Sequence, residues 1–471
     1  GLGDVYKRQC WDGVTSSGCA TADTVAAIDA AVADGVDVIN YSISGSRNQV
    51  VDPVELAFLN AASAGVFVAA SSGNSGQTAS TTAHASPWIT TVAASTHAVY
   101  EHTLVTGDGE RHIGASITRP LDEDTPMAYA GDLAAEGADP AKAALCIADT
   151  LDPAKTEGKL VVCDRGENGR AAKSSVVEAA GGVGMVLVNV SEAEGLNADV
   201  HAVPTVHLPA SAREAVVAYA SSEGATGSIL DTNAGSTTRT PLVAAFSSRG
   251  PSLAADSDLL KPDISAPGVD VLAAYSPTLG GEDFAYASGT SMSSPHIAGL
   301  AALVKQGRPD FSPMQIKSAL MTTAADHAEQ TSPFAGGAGF VDPTRMMNPG
   351  LTFDSDRDDW YDFLAGQGVV YSDTGNPVSD TPIDASDLNL PSLAIGDLYG
   401  SQTVTRTLTN VGGNNGPWTA RVEGLEGLDV RVSPQRIKPK VGQSQDVEIT
   451  VSAAGAPAGE FATGHLSLIH I

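Results

Sequence analysis

The sequence predicts an α/β protein whose core is a parallel sheet with helices on both faces. Thr24–Ala33 carries apolar residues at helical spacing and is followed by Val36–Ile43, a short apolar run typical of a buried strand. A second helix near Pro53–Ala64 leads to a second apolar strand, Val66–Ala70. This alternation of helix and strand is typical of a sheet in which neighbouring strands are parallel.

The carboxyl-terminal part of the sequence follows a different pattern. From about Leu388 the chain becomes rich in β-forming residues, and Val447, Ile449 and Val451 alternate strictly with polar residues. A period of two predicts strands with one buried face, so we expect a β-rich region here.

Length and charge limit the classes of protein and partner. A chain of 471 residues allows about three domains, and an apolar content of 42% supports packed cores rather than disorder. Lysine and arginine total 26 against 55 aspartates and glutamates. The net charge of −29 argues against nucleic acid or an anionic membrane surface as a partner. No run of 18 or more apolar residues occurs, so no membrane span is predicted.

The most informative stretch is residues 289–299, which read Gly-Thr-Ser-Met-Ser-Ser-Pro-His-Ile-Ala-Gly. The apolar residues that follow predict a helix from about Met292 to Lys305, with Pro295 in its first turn, where no amide donor is needed. Ser291 would lie at the mouth of this helix, where free N–H groups favour a developing negative charge. A plain serine cap on a buried helix is the alternative.

A second helix after this motif has a clear start signal. Residues 312–315 read Ser-Pro-Met-Gln, a capping box with proline at the first helical position.

Several segments, taken in order, resemble the subtilisin-like serine proteases, the subtilases. They are residues 37–44, the Ser-Ser-Gly-Asn-Ser-Gly of residues 71–76, and the segments 246–251, 261–268 and 289–299. The resemblance runs from about Cys10 to Gly464. It is closest to the subgroup with an inserted protease-associated (PA) domain and a fibronectin-III-like tail. It implies hydrolysis of peptide bonds in protein or peptide substrates through an acyl-enzyme.

The resemblance assigns roles to residues of this chain. The nucleophile corresponds to Ser291, the oxyanion-hole asparagine to Asn74, and the substrate-binding edge to Ser42, Ile43 and Ser44. A tetrahedral intermediate needs donors aimed at its oxyanion, and the Asn74 amide and the Ser291 N–H would supply them. Taken alone, Asn74 is also typical of an asparagine in a Gly/Ser-rich turn.

The triad that this family uses is not complete in the sequence. Subtilases carry a histidine base in a His-Gly-Thr-His type segment and an orienting aspartate, both before the asparagine. None of the ten histidines here is followed by Gly-Thr and none precedes residue 84, so no triad histidine or aspartate is assigned. His296 belongs to the serine motif, and its family position lies away from the base. We expect a truncated fragment, in which residues 1–9 and 466–471 fit the family poorly. A catalytically inactive binding protein on the same scaffold is the alternative.

The resemblance also divides the chain. We expect the first part of a subtilisin-like catalytic domain at residues 10–126, an inserted α+β PA domain at 127–232 and the second catalytic part at 233–355. The fibronectin-III-like domain at 383–465 implies a C-terminal β-sandwich. The glycines at 181–184 do not form a nucleotide-binding loop, because neither G-x-G-x-x-G nor a following Lys-Ser/Thr is present. Insertions of this kind are thought to shape substrate access or subunit contact, so a homodimer through the PA domain is one prediction.

The cysteines indicate the compartment. In the resembling subgroup the pairs Cys10 with Cys19 and Cys146 with Cys163 correspond to two local disulfides, which imply a secreted protein in an oxidising compartment. Four reduced core thiols are the alternative.

The chemistry implied by the resemblance requires no cofactor, and no metal ligands are assigned. The acidic run 354–359 invites comparison with a calcium loop, but an EF-hand needs glycine at position six and glutamate at position twelve, where Asp359 and Ala365 stand. We therefore interpret the run as a solvated linker, and calcium binding stays open but unsupported. Without a Cys-x-x-Cys pair a zinc site is not expected.

A serine at a strand–helix turn is also found in α/β-hydrolase esterases. Their elbow reads G-x-S-x-G, whereas Ser293 stands at the position of the second glycine, so this motif fails.

We expect the 471-residue chain by itself to be nearly inactive on peptides. Loss of a base or nucleophile leaves only about 10³–10⁴-fold catalysis over water, from the oxyanion hole and binding. Casein hydrolysis by the purified chain, measured beside an equal concentration of subtilisin, checks this expectation. A rate of the same order as that of subtilisin would overturn it.

Overall fold

A computed structural model describes residues 19–98, 100–232, 239–275, 283–413, 416–453 and 455–470. They form two compact units. With the gaps just given, the first unit comprises residues 19–95, 247–268 and 289–470, and the second comprises 96–246 and 269–288. No helix among these residues is long and apolar enough to cross a membrane.

The helices are α1 Thr21–Ala33, α2 Pro53–Ser63, α3 Pro140–Ala144, α4 Pro153–Thr156, α5 Arg170–Ala179, α6 Arg213–Ala220, α7 Thr290–Gly307, α8 Pro313–Thr322, α9 Pro333–Gly336 and α10 Arg357–Gly366. The strands are β1 Val38–Tyr41, β2 Phe67–Ser71, β3 Thr90–Ser95, β4 Glu101–Thr106, β5 Arg111–Ala115, β6 Leu121–Tyr129, β7 Leu160–Asp164, β8 Gly184–Val188, β9 Thr205–Leu208, β10 Thr226–Asp231, β11 Ile264–Pro267, β12 Val271–Ala274, β13 Phe284–Ala287, β14 Leu351–Thr352, β15 Ser401–Asn410, β16 Trp418–Gly424, β17 Leu428–Ser433, β18 Arg436–Ile437, β19 Ser444–Ala453 and β20 Gly464–His470.

The centre of the first unit is a parallel sheet in the order β1-β2-β3-β11. Successive residues of β2 face opposite sides of this sheet. Val68 belongs to one apolar cluster with Phe58 of α2, whereas Phe67 belongs to the other with Ile297 of α7. Both faces of β2 are thus covered by helices, which explains why its sequence is apolar throughout. The predicted parallel sheet with helices on both faces is confirmed.

The helix that carries the serine motif begins earlier than predicted, at Thr290 rather than about Met292. Pro295 is therefore its sixth residue and lies inside the helix, so its placement in the first turn was wrong. Because proline has no N–H, the Ser291 carbonyl four residues earlier has no partner within the helix.

The starts of two other helices are set by side chains. The predicted capping box of α8 is confirmed, since Gln315 N donates to Ser312 Oγ at 3.0 Å and Ser312 N donates to Gln315 Oε1 at 3.2 Å. The interpretation of residues 354–359 as a linker was wrong, because Asp356 caps α10 and accepts from Asp358 N at 2.9 Å. A carboxylate is favourable there because the start of a helix carries partial positive charge.

The second unit contains a closed barrel in the strand order β10-β4-β5-β9-β8-β7-β6. Strands β6 to β9 pair in parallel, and the remaining pairs are antiparallel. A disulfide joins Cys146 and Cys163. Cys10 lies outside the described residues, so its pairing with Cys19 stays a prediction.

The end of the first unit contains two sheets, β14-β15-β19-β17 and β18-β16-β20. Leu408 and Val447 of one sheet share an apolar cluster with Trp418 and Ile437 of the other, which confirms the predicted β-sandwich. β20 pairs with β16 along its whole length, so residues 466–470 take part in the sandwich.

Three buried charges tie α8 to the parallel sheet. Asp263, which precedes β11, accepts from Lys261 Nζ at 2.7 Å and from Lys317 Nζ at 2.8 Å, and each side chain is at most 2% exposed. Both ammonium groups also donate to the main-chain oxygen of Ile89. Burial lowers the pKa of Lys317 to about 7. Burial alone would raise the pKa of Asp263, but the two ammonium groups hold that pKa below its usual range.

Asp263→Asn should lower the free energy of unfolding by about 3–5 kcal/mol, because it leaves two buried ammonium groups without a counterion. Lys317→Met should cost much less, because Lys261 and Asp263 then form a balanced pair beside an apolar side chain. Urea unfolding of both variants measures the difference. Equal losses would show that the charges do not compensate one another.

Candidate active site

Ser291 is the second residue of α7, and it is half-buried. Gly289 at the N-cap position provides no side-chain hydrogen bond, so main-chain N–H groups of the first turn are left for other partners. The positive end of the helix favours negative charge beside Ser291. The residue predicted as the nucleophile therefore lies where a developing oxyanion would be stabilised.

Ser42 and Ser291 exchange two hydrogen bonds. The Ser291 hydroxyl donates to the Ser42 main-chain oxygen at 3.2 Å, and the Ser42 hydroxyl donates to the Ser291 main-chain oxygen at 2.9 Å. The second bond satisfies the carbonyl that Pro295 leaves without a helical partner. Pro295 thus leaves the Ser291 carbonyl free to accept from Ser42, and this bond holds Ser42 against α7.

The side-chain orientation of Asn74 is fixed by the residue before Ser291. Asn74 Oδ1 accepts from Thr290 N and from Thr290 Oγ, each at 2.9 Å. Since an amide oxygen takes donors and the amide nitrogen supplies them, these two bonds identify which end of the side chain is Oδ1. Asn74 Nδ2 then lies beside Gly289, 3.5 Å from the position that a Cβ would occupy there. The donor predicted for the oxyanion hole is therefore at the start of α7.

Sequence reasoning missed the role of Thr290. Its hydroxyl is buried and also accepts from Gly73 N at 3.2 Å, so it joins the loop that follows β2 to the start of α7. The only signal in the sequence was its position inside the string that contains Ser291.

Sequence reasoning also missed a polar chain that supports Ser42. Ser294 of α7 donates to Asn40 Oδ1 at 2.7 Å, and Asn40 Nδ2 donates to Ser42 Oγ at 3.0 Å. Asn40 lies in β1, so the chain runs from the helix through the strand to the residue that contacts Ser291. Both residues lie in segments that carry the family resemblance, but a polar side chain in a predicted core strand gave no indication of its partner.

The segment predicted as the substrate-binding edge lies next to Ser291. Ser42 contacts Ser291 directly, the main-chain oxygen of Ile43 meets His84 Nε2 at 2.7 Å, and Ser44 is exposed. Gly73 lies beside this edge with φ +103°, and a Cβ on it would lie 2.9 Å from Ser248 Oγ and 3.4 Å from Ser44 Oγ. Only glycine fits this approach of the loop to the edge.

The histidines nearest in sequence to these groups point elsewhere. His296 Nδ1 lies 2.8 Å from the main-chain oxygen of Met292 in its own helix, and His84 is buried behind the edge. Within the described part of the chain, the hydrogen-bond partner of Ser291 Oγ is a main-chain oxygen and not an imidazole. No cluster of three or more His, Cys, Asp or Glu side chains that could hold a metal ion occurs among the same residues.

Comparison with known proteins agrees with this architecture. The family model described as "Subtilase family" matches residues 11–339, and one described as "Fibronectin type-III domain" matches residues 387–470. The Arabidopsis thaliana subtilisin-like proteases SBT1.6 and SBT5.3 are 36% and 37% identical to this chain. The alignments cover 96% and 98% of the chain but 64% of each relative.

A solved subtilisin-like protease from an Antarctic Pseudoalteromonas is 16% identical, with a TM-score of 0.32 over 69% of this chain and 72% of that protein. That similarity is too low to bear on the site. The family match extends over most of the chain and includes the segments that form the site. The chain belongs to the subtilase family of serine peptidases.

Proposed function

We propose that the whole protein is a secreted serine endopeptidase that cleaves peptide bonds through an acyl-enzyme on Ser291. One observation carries this proposal. The Ser291 hydroxyl and the Asn74 amide lie at the start of the same helix, and Thr290 occupies the Asn74 oxygen and leaves the nitrogen as the donor. Membership of the subtilase family supports the reaction class.

In the proposed reaction, Ser291 Oγ attacks the carbonyl carbon of the scissile bond, and the carbonyl oxygen becomes an oxyanion. Ser291 N–H and Asn74 Nδ2 donate to this oxyanion at the positive end of α7. A base must take the hydroxyl proton and give it to the amine, which leaves when the C–N bond breaks and the acyl-enzyme forms; water then hydrolyses the acyl-enzyme. No histidine or aspartate of this chain is assigned to the role of base. The proposal concerns the whole protein, because the chain spans 64% of the length of the relatives named above.

The remaining parts of the molecule are assigned on the same basis. Ser42, Ile43 and Ser44 bind the main chain of the substrate beside Ser291. The PA domain at residues 127–232 forms part of the barrel of the second unit and is inserted between the two catalytic parts. Strands β4 and β5 of the same barrel precede residue 127. The Cys146–Cys163 disulfide supports secretion, because such bonds persist in oxidising compartments.

A catalytically inactive binding protein on the same scaffold is the second candidate. It is favoured by the contact of Ser291 Oγ with a main-chain oxygen rather than with a base in the described part of the chain. The two candidates differ in whether Ser291 of the full-length protein is activated.

A serine-directed fluorophosphonate should label the full-length protein, and Ser291→Ala should abolish the label because the nucleophile is lost. Ser293→Ala is a matched control, since Ser293 is a buried serine two residues further along the same helix. Mass spectrometry of the labelled peptide identifies the site. A folded full-length protein without label at Ser291 would favour the binding protein.

Asn74→Ala should lower kcat by about 10²–10³-fold with little change in KM. Losses of this size follow removal of one oxyanion donor from subtilisin, which is a relative and not this protein. Thr290→Val should cost about tenfold, because one of the two donors to Asn74 Oδ1 remains. Steady-state kinetics on a peptide anilide measure both, and a larger loss for Thr290→Val than for Asn74→Ala would contradict the assigned roles.

A further inference from the structure

The imidazole of His84 connects the segment after β1 to helix α2. His84 Nε2 lies 2.7 Å from the main-chain oxygen of Ile43, and His84 Nδ1 lies 2.7 Å from Glu55 Oε1. The side chains of His84 and Glu55 are each 1% exposed. Neither residue belongs to the peptide-cleaving machinery described above, and a buried ionisable pair at this position requires an explanation.

The two contacts of the imidazole specify where its protons must be. The carbonyl oxygen of Ile43 can only accept, so Nε2 must carry a proton and donate it. The contact with Glu55 needs one further proton, held by the imidazole or by the carboxyl group. With that proton present, His84 holds the Ile43 carbonyl from one side and Glu55 from the other, and both bonds are short enough to be charge-assisted.

The main chain around His84 is held as firmly as its side chain. His84 has φ +56°, a left-handed conformation that is uncommon outside glycine. Its N–H donates to Ser46 O at 3.1 Å, and its carbonyl accepts from Thr91 Oγ at 2.6 Å. A Cβ on Gly45 would lie 2.4 Å from His84 Cε1, so the segment after β1 closes directly over the ring. The imidazole therefore has one position available.

Adjacent carbonyls of the proposed substrate-binding edge are held by different elements. The Ser42 oxygen accepts from Ser291 Oγ, and the Ile43 oxygen accepts from His84. Glu55 lies in α2, whose apolar face packs on the parallel sheet. His84 therefore connects the main chain of the edge to a helix that is fixed in the core. Loss of the His84 bond would free the Ile43 peptide unit while the Ser42 bond stayed in place.

We propose that His84, held by Glu55, is a positioning residue for substrate binding: it fixes the Ile43 main chain so that the edge can receive an extended peptide beside Ser291. This inference rests on the proposed peptidase function. Peptides that extend along an edge gain affinity from main-chain hydrogen bonds, which require the edge to be preorganised. A short ester that reaches only the nucleophile and the oxyanion donors does not use this edge.

The test compares two substrates in the full-length protein, a tetrapeptide anilide and the ester of a single amino acid. The measured quantity is the ratio of their kcat/KM values, which does not depend on the fraction of protein that is correctly folded. The double variant Glu55→Leu/His84→Leu removes the buried pair together and leaves no uncompensated charge, so it should fold. We expect its ratio to fall about tenfold through a higher KM for the tetrapeptide, which is the order of one hydrogen bond.

Glu55→Gln is the matched conservative variant. A glutamine amide can donate to His84 Nδ1, so a neutral imidazole still donates Nε2–H to Ile43, and the wild-type ratio should be retained. The proposal is overturned if the double variant keeps the wild-type ratio of kcat/KM values. It is also overturned if Glu55→Gln lowers this ratio as much as the double variant does. If the wild-type full-length protein turns over neither substrate and takes no fluorophosphonate label, the peptidase function itself has failed, which is a separate result.

Discussion

The two hydrogen bonds exchanged by Ser42 and Ser291 are the contact on which the arrangement of the site depends. One of them exists because Pro295 cannot donate to the Ser291 carbonyl inside α7. A helix interior normally loses stability at a proline, yet here the unsatisfied acceptor receives a hydroxyl from a neighbouring strand end. These two hydrogen bonds join the start of α7 to the edge after β1. The proposed nucleophile Ser291 and the proposed oxyanion donor Asn74 both lie at this helix start.

The loop between β2 and β3 delivers the remaining parts of the site. It carries Asn74 near one end and His84 near the other, and residues 81–89 are buried throughout. A buried loop must satisfy its main-chain groups without water, and this one does so through bonds such as Ala83 N to Ser72 O and Thr81 N to Arg249 O. The exposed tip with Asn74 is thereby anchored at both ends, which suits its proposed role as a preorganised oxyanion donor.

The sequence predicted the parallel sheet because periodicity of apolar residues reports directly on burial, whereas the sandwich was predicted from the resemblance to a known family. It also predicted the placement of Ser291 and Asn74, through motifs whose spacing is local. It did not predict the helix start at Thr290, because the pattern of apolar residues begins only after the polar first turn. Partners far apart in the chain, such as Asn40 with Ser294 or His84 with Glu55, could not be predicted, since tertiary packing alone brings them together.

The edge after β1 shows why polar contacts determine this site more than apolar packing does. Side-chain burial fixes the strand itself, but Ser42, Ile43 and Ser44 lie beyond its last paired residue and are only half-buried or exposed. Apolar contacts are non-directional and leave the rotation of a peptide unit undetermined. Two hydrogen bonds remove that freedom. Ser291 of α7 donates to the Ser42 carbonyl, and His84, which is hydrogen-bonded to Glu55 in the core, donates to the Ile43 carbonyl. These bonds hold the edge in place without burying it, and the proposed binding of an extended peptide requires both properties.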